Sequence, residues 1–430
     1  MSGSPLRVVI VGGGLGGLCL AQGLRRAGVE VRVYERDASP SVRRQGYRIH
    51  IDQRGAQGLY ACLPPRLYDL VVATSGQLGH QVTVLNQHLK TRRIVRFTGE
   101  AAAPRPTSAA LDPAALNAAV NRLTLREILL AGLDDVVHFG KEFTHYAQGA
   151  DGGLCAHFVN GTTAEGHVLV AADGVGSRLR RQYLPHAAVV DTKVRCIYGK
   201  TPLTAATRPL VPAAVSDGFT AVVGPHAIGL ALGLMEFRQR PDAAAAALGP
   251  GVQLHSDGDY LMWGLTAQRE RFPVPDATLL ALDGPDLQQV ALRMTARWHP
   301  TVGALIAQCV LPETFALAIH TAVPIAPWPT TTVTLLGDAI HAMSPAGGSG
   351  ANTALRDAGL LCRQLIAAAR GEAPLLAAVS AYERAMVAYG FDAVRASQRA
   401  PGRFFGPAAL AMLPYRVSDL ARRLWPGHRA

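Results

Sequence analysis

The chain has 430 residues, 49% hydrophobic and 17% charged, the balance of a globular protein with a sizeable core; disorder is excluded as its main theme. A formal charge of +11 suits an anionic small-molecule cofactor better than nucleic acid: the only lysines are Lys90, Lys141, Lys193 and Lys200, and the arginines are dispersed rather than interleaved with aromatics. Six isolated cysteines without a C-x-x-C pair, no signal-peptide order at the N-terminus and no long apolar run lead to the expectation of a cytoplasmic protein with no metal site and no membrane span.

Residues 6–11, apolar apart from Arg7, form a run typical of a buried parallel strand, 15–27 have helical spacing, and 29–34 alternate before Glu35, which predicts a βαβ unit. A strand at 46–51 and helices around 55–62 and 65–72 follow, then 83–85 and 93–97 as an antiparallel pair. Residues 99–113, rich in Ala, Pro, Thr and Ser, read as a surface loop. After a helix containing 123–130, three strand-like stretches lead to 166–172, an apolar run ending at Asp173-Gly174. From about 185 to 325 the pattern changes to strands at 195–201, 218–223, 227–235 and 260–266 with one helix over 286–308, which predicts an antiparallel sheet. The parallel pattern returns at 331–336, and helices are expected over 349–369 and from 374 to about 398.

Gly12, Gly14 and Gly17 set a G-x-G-x-x-G between the first strand and helix, with Leu15 and Gly16 inside the turn. Gly12 makes the tight turn, Gly14 lets a pyrophosphate approach the backbone, and Gly17 lets helix and strand pack closely. The helix N-terminus offers free N–H groups to the phosphates. Glu35 closes the next strand about 20 residues on, where a carboxylate accepts hydrogen bonds from a ribose. A glycine turn without a ligand is the plain alternative, and strand, helix and acidic terminus in register favour a dinucleotide. No second strand-associated G-x-G-x-x-G appears, which argues against two-nucleotide-domain reductases; a lone unit also suits an NAD dehydrogenase.

Far along the chain, Gly337-Asp338 ends a strand and is followed by a glycine loop and a helix. An acid there can hold a polyol hydroxyl, and glycines let backbone amides reach a planar ring. The helix beginning near Ser349 aims its positive end over the loop, an arrangement that favours a ring gaining negative charge on reduction.

On these motifs the chain resembles the class A flavin-dependent monooxygenases, typified by para-hydroxybenzoate hydroxylase. G-x-G-x-x-G at 12–17, Asp173-Gly174 within 172–178, and Gly337-Asp338 stand in the family's order across nearly the whole chain. The resemblance implies an α/β fold: a Rossmann-like FAD-binding domain from 1–75, 99–184 and 326–372, an inserted antiparallel-sheet substrate domain from 76–98 and 185–325, and C-terminal helices over 373–430. It implies that FAD is held by the 12–17 turn, with Glu35 on the adenosine ribose and Arg36 near the adenine. Arg44 would lie beside the cofactor, Arg126 near the pyrophosphate and Asp338 on the ribityl chain. Gly350, Ala351 and Asn352 would meet the pyrimidine edge, and Asp173 would serve both FAD and NAD(P)H. NAD(P)H would reduce FAD, O₂ would add at flavin C4a, and the hydroperoxide would oxygenate an electron-rich aromatic or alkene carbon of a small molecule of secondary metabolism.

Two departures stand out. The loop reads Pro345-Ala-Gly-Gly-Ser-Gly rather than the family's commoner P-P-x-x-G-Q-G, and the stretch after Gln398 gives no expectation of a thioredoxin-like domain. Arg48 and His50 are candidate catalytic residues, and Tyr198 and Trp263 candidate substrate contacts. The plain alternative makes His50 a hydrogen-bonded structural histidine and the two aromatics core. His341 reads as a structural neighbour of the cofactor loop. Two other functions use the same FAD motifs: a non-redox cyclase of natural-product type, and an FAD-binding protein without turnover.

Overall fold

The computed structural model describes residues 5–40, 42, 47–96, 116–149 and 152–405. Arg44 and the loop expected at 99–113 lie outside them. The chain opens with β1 (Arg7–Val11), α1 (Leu15–Arg26) and β2 (Glu30–Tyr34). Val8 to Val11 are all buried, as a central parallel strand covered on both faces requires. Next come β3 (Arg48–Ile51), α2 (Gln53–Cys62), α3 (Pro65–Ala73), β4 (Gln81–Asn86), β5 (Thr91–Arg96), β6 (Ala118–Asn121) and α4 (Arg122–Leu130). β7 (Val137–His138), β8 (Phe143–Gln148), β9 (Leu154–Phe158), β10 (Thr163–Gly166), β11 (Val168–Ala171) and α5 (Arg178–Tyr183) follow.

The middle of the chain holds β12 (Val189–Pro202), α6 (Ala213–Ser216), β13 (Gly218–Val223), β14 (Gly229–Met235), α7 (Pro241–Leu248), β15 (Tyr260–Gln268), α8 (Asp276–Ala281), α9 (Gly284–Thr295), α10 (Pro300–Ala307) and β16 (Phe315–Ala322). The last elements are β17 (Val333–Leu335), α11 (Asp338–His341), α12 (Gly350–Ala369) and α13 (Leu375–Phe405).

A five-stranded parallel sheet runs β17-β11-β1-β2-β7. Because its strands are parallel, Val11, Tyr34, Ala171 and Leu335 end at one edge, and the three distant motifs that follow them meet there. The seven-stranded sheet runs β16-β12-β15-β14-β13-β4-β5. It is mixed rather than wholly antiparallel: β13 and β4 run parallel, with Thr220 opposite Thr83. More than 120 residues of chain separate these two strands, so no hairpin imposes the antiparallel direction. β3 pairs with β6, with Arg48 opposite Asn121.

Other expectations are corrected. The helix read over 286–308 is two, α9 and α10, broken where His299 is extended ahead of Pro300. A proline has no N–H for the helical ladder and keeps the residue before it out of the helical region. α7, α8 and β16 are additional to the expected elements, and α7 contains the alanine run at 243–247. Among the described residues no helix is long and apolar enough to cross a membrane.

Candidate active site

The glycine turn follows from its own sterics. Gly12 has φ +111°, and a Cβ there would lie 2.3 Å from the Ala172 carbonyl oxygen; a Cβ on Gly17 would lie 2.3 Å from that of Gly12. The turn can therefore close only with glycine at both places. Gly14 differs: no protein atom lies within 4 Å of its built Cβ, and it faces the cavity. It starts α1 without a side-chain cap, so the first-turn N–H groups have no side chain to satisfy them. Glu35 Oε2 accepts from the Gly13 N–H at 2.7 Å and Oε1 from the Asp37 N–H at 3.0 Å, which fixes the carboxylate beside the turn. Arg126 is buried and ties the same region together, donating from Nε to the Gly13 carbonyl at 3.3 Å and from Nη1 to that of Pro40 at 2.8 Å.

Asp173 follows β11, and its Oδ2 accepts from the Arg178 N–H at 3.0 Å. Its Oδ1 is buried without a hydrogen-bond partner, and burial raises its pKa. Asp338 stands at the start of α11 with its side chain exposed to the cavity. Burial raises its pKa despite the nearby His341 and Arg122. Both carboxyls thus sit where a ligand hydroxyl would be welcome.

Sequence reasoning missed the framework behind these groups. Arg180 donates to the Ala339 carbonyl at 2.8 Å and to that of Val175 at 3.2 Å, stitching the second motif to the third. Fully buried Asp357 accepts from the Gly337 N–H at 2.8 Å and from the Tyr389 hydroxyl at 2.6 Å, and pairs with His341 Nε2 at 2.6 Å. His341 is the structural neighbour expected. Burial opposes its charged form, but the Asp357 carboxylate outweighs that and raises its pKa. The one available signal was Asp357 itself, a carboxylate seven residues into the helix and on its buried face.

One cavity of about 1870 Å³ runs from the glycine turn to the seven-stranded sheet. That exceeds the roughly 300–1,000 Å³ of a single-ligand pocket, so it has room for a dinucleotide and a further small molecule. Gly12, Gly14, Leu15, Gly16, Gly17, Glu35, Arg36, Arg126, Asp173, Asp338, Gly350 and Ala351 all line it. Asn352 does not. Its amide donates to the His50 carbonyl at 2.8 Å and the Gly348 carbonyl at 3.1 Å and accepts from the Asp52 N–H, so it clamps α12 to β3 rather than facing the cavity.

At the sheet end, Arg48, His50 and Tyr198 line the cavity, and Tyr198 stacks on Tyr47 with centroids 5.2 Å apart. His50 Nε2 pairs with Asn117 Oδ1 at 2.6 Å; burial lowers its pKa, against the pull of that hydrogen bond and with help from Arg48. Trp263 is a correction. Side chains alternate along β15, so Met262, Gly264 and Thr266 face the cavity while Trp263 points the opposite way, into the core beneath α9 and α10. Its ring lies over Gly199, where a Cβ would come within 2.0 Å of it.

Comparison with known proteins bears on these observations together. An NAD(P)-binding Rossmann-like domain model matches residues 10–71 and an FAD-binding domain model matches 290–396. The chain is 31% identical over 421 residues to a dual O-methyltransferase/FAD-dependent monooxygenase, CTB3, of Cercospora beticola; the match covers 93% of this chain and 46% of that protein, so the chain spans about half the length of that relative. Aurachin C monooxygenase/isomerase of Stigmatella aurantiaca is 28% identical, with 92% of this chain and 88% of that protein covered. A solved structure from Photorhabdus luminescens, described as an FAD-containing monooxygenase, superposes with a TM-score of 0.75 at 30% identity, covering 93% of this chain and all of that one. With its three motifs gathered at one sheet edge, the chain belongs to the class A FAD-dependent monooxygenases.

Proposed function

We propose that the protein is an NAD(P)H-reduced monooxygenase that hydroxylates or epoxidises an aromatic or polyketide-like small molecule in the cytoplasm. The observation that carries this is one cavity that joins the glycine turn to an apolar sheet floor and has room for a dinucleotide cofactor and a ring substrate side by side. The residues fit FAD. Open space over Gly14 and the uncapped start of α1 suit a pyrophosphate, Glu35 suits the adenosine ribose, and Asp338 suits the ribityl hydroxyls. Gly350 and Ala351 begin α12, whose positive end favours a reduced ring over the loop.

When bound, FAD supplies the redox and oxygen chemistry. The chain's own residues bind, orient and exclude water. Tyr198, Met262, Cys196 and Ala231 form an apolar floor, and His50, neutral at physiological pH because burial lowers its pKa, can take a proton from a substrate hydroxyl.

The test is anaerobic mixing of the FAD-loaded protein with NADH or NADPH, with and without a panel of aromatic compounds, followed by admission of O₂. Flavin bleaching, consumption of one O₂ and one NAD(P)H per product, and a product heavier by one oxygen atom are expected. An isomeric product formed without O₂ or nicotinamide would replace oxygenation by cyclisation. If neither nicotinamide bleaches the flavin with any compound, a binding role without turnover takes its place.

A further inference from the structure

A second hollow, of about 340 Å³, lies between the start of α2, the first turns of α12 and the middle of α13, and it shares no lining residue with the large cavity. Most of its polar walls have already spent their hydrogens inside the protein. The Ser349 hydroxyl donates to the Gly347 carbonyl at 3.1 Å, that of Thr353 to the Ser349 carbonyl at 2.9 Å, and that of Tyr389 to Asp357 at 2.6 Å. The Asn352 amide donates to the His50 and Gly348 carbonyls. Two guanidiniums are the exception. Arg54 gives Nε and Nη2 to Asp52 Oδ2, at 3.1 and 2.6 Å, and keeps Nη1. Arg356 lies with its Cζ 3.8 Å from the centroid of the Tyr389 ring, and its guanidinium makes no hydrogen bond or ion pair among the described residues. Asp392, the acid of the described lining, is held by Arg395 Nη2 at 2.6 Å.

A long basic side chain at a surface samples many rotamers and loses that freedom when it grips a ligand. Both of these are held in advance. Asp52 fixes Arg54 at two points, and Arg356 rests on a ring whose own hydroxyl is anchored on Asp357. Holding the donors in place lowers the cost of ordering them on binding. Stacking uses the face of a guanidinium and leaves its N–H groups free in the plane, where they meet the oxygens of an anion. With the hydroxyl and amide hydrogens engaged and the acid paired, the hollow complements a ligand that brings acceptors and negative charge.

We propose that this hollow is a separate binding site for a phosphate group, carried as the monoester of a small molecule, with the Arg356 guanidinium and Arg54 Nη1 as its donors. The terminal oxygens of a phosphate are numerous enough to serve both arginines at once, which the two oxygens of a carboxylate do less well. A volume of about 340 Å³ stands at the small end of the roughly 300–1,000 Å³ of ligand pockets and has room for a short ester beside the phosphate. The occupant would rest on Asn352 and Tyr389, the side chains that also hold β3 and, through Asp357, the Gly337 N–H.

The experiment titrates FAD-loaded protein by calorimetry with glycerol 3-phosphate, inorganic phosphate, D-glycerate and glycerol. One glycerol 3-phosphate per chain is expected, with D-glycerate ~10-fold weaker or worse, the size of a lost charge-assisted hydrogen bond, and glycerol silent. Tighter binding of the ester than of inorganic phosphate supports a monoester as the natural occupant. Arg356→Gln should weaken the ester by ~10–100-fold, Arg356→Lys by less, and Arg54→Gln by ~10-fold or less because Asp52 already shares that guanidinium. All three retain FAD. Arg370→Gln, at the far end of α12, changes nothing and controls for the general attraction of anions to a chain of net charge +11. The flavin stays bound throughout the titration, whereas a phosphate seated at the glycine turn would release it. Failure of the ester to bind, inorganic phosphate or D-glycerate binding as tightly as the ester, an affinity unchanged by both Arg356→Gln and Arg54→Gln, an equal loss with Arg370→Gln, or release of FAD by the ester overturns the proposal.

Discussion

The two ends of the cavity are built from different materials. At the cofactor end the surface is mostly backbone: a glycine turn in which a Cβ on Gly12 or Gly17 would come within 2.3 Å of a carbonyl oxygen, an uncapped helix start, and carboxylates held by N–H groups. At the sheet end, proposed above to take the substrate, the surface is side chains contributed by β3, β12, β13, β14 and β15, which come from parts of the chain up to about 200 residues apart. The first kind of surface leaves little room for side-chain changes. The second can change residue by residue while the sheet beneath it stays intact, which is how one scaffold takes different substrates.

The sharpest way to test that division is to compare neighbours that face opposite ways. Trp263 and Met262 are adjacent on β15, yet Trp263 fills the core and Met262 faces the cavity. Trp263→Ala is expected to lower unfolding stability by ~3–5 kcal/mol, the usual cost of deleting a large buried aromatic. Met262→Ala should cost less stability and change ligand binding more. Chemical denaturation together with ligand titration reads both. A larger stability loss for Met262→Ala would show that the two faces have been assigned the wrong way round.

At the cofactor end the contrast lies within one turn. A Cβ on Gly14 meets no protein atom within 4 Å, so Gly14→Val should fold, but it fills the space assigned to the pyrophosphate; retained FAD should drop by ~100-fold or more, as expected when a side chain displaces several phosphate contacts. Gly17→Val collides with the Gly12 carbonyl and should yield little folded protein. Asp338→Ala removes a hydroxyl acceptor and is expected to weaken FAD by ~10-fold. Flavin content after dialysis, beside circular dichroism, separates folding from binding. If Gly14→Val kept full FAD, the turn would not be the phosphate site.

The same division explains what could be read from the amino-acid order. Gly12 and Gly17 sit in one local turn, and Asp173 and Asp338 follow the ends of parallel strands, so their motifs and the convergence of their strands were legible. Asn352 sits one residue past Ala351 in the helix and rotates out of the cavity to grip β3, a consequence of helical pitch and of a strand 300 residues away. Trp263 failed for a related reason: strand alternation says that 262 and 263 face apart, but only the packed helices α9 and α10 decide which face is dry. Arg48 was visible as a candidate, but the burial of its Nε without a hydrogen-bond partner is a tertiary fact, with Asp257 and Glu313 taken by Lys200.

The smallest expected effect lies in pH dependence, where the two ends oppose each other. His50, at the substrate end, has its folded pKa lowered by burial below the ordinary value of 6.5. As pH falls through 6.5 the unfolded chain takes up a proton that the folded His50 refuses, so its contribution is present above 6.5 and is lost on acidification toward the folded value. His341, at the cofactor end, has its folded pKa raised above 6.5: burial works against the charge, and Asp357 prevails. Its contribution is present below 6.5 and is lost as pH rises through the raised value. Each group can tilt stability by at most ~1.4 kcal/mol per pH unit. Chemical denaturation across the neutral range should therefore show His50→Gln flattening the acid side of the profile and His341→Gln the alkaline side. Ring proton shifts of the two histidines in the wild type give the same answer without a substitution: one should titrate below 6.5 and the other above. Two rings titrating on the same side would mean that the buried Asp357 carboxylate does not hold the charge on His341, and the link between that pair and the Gly337 N–H would need another explanation.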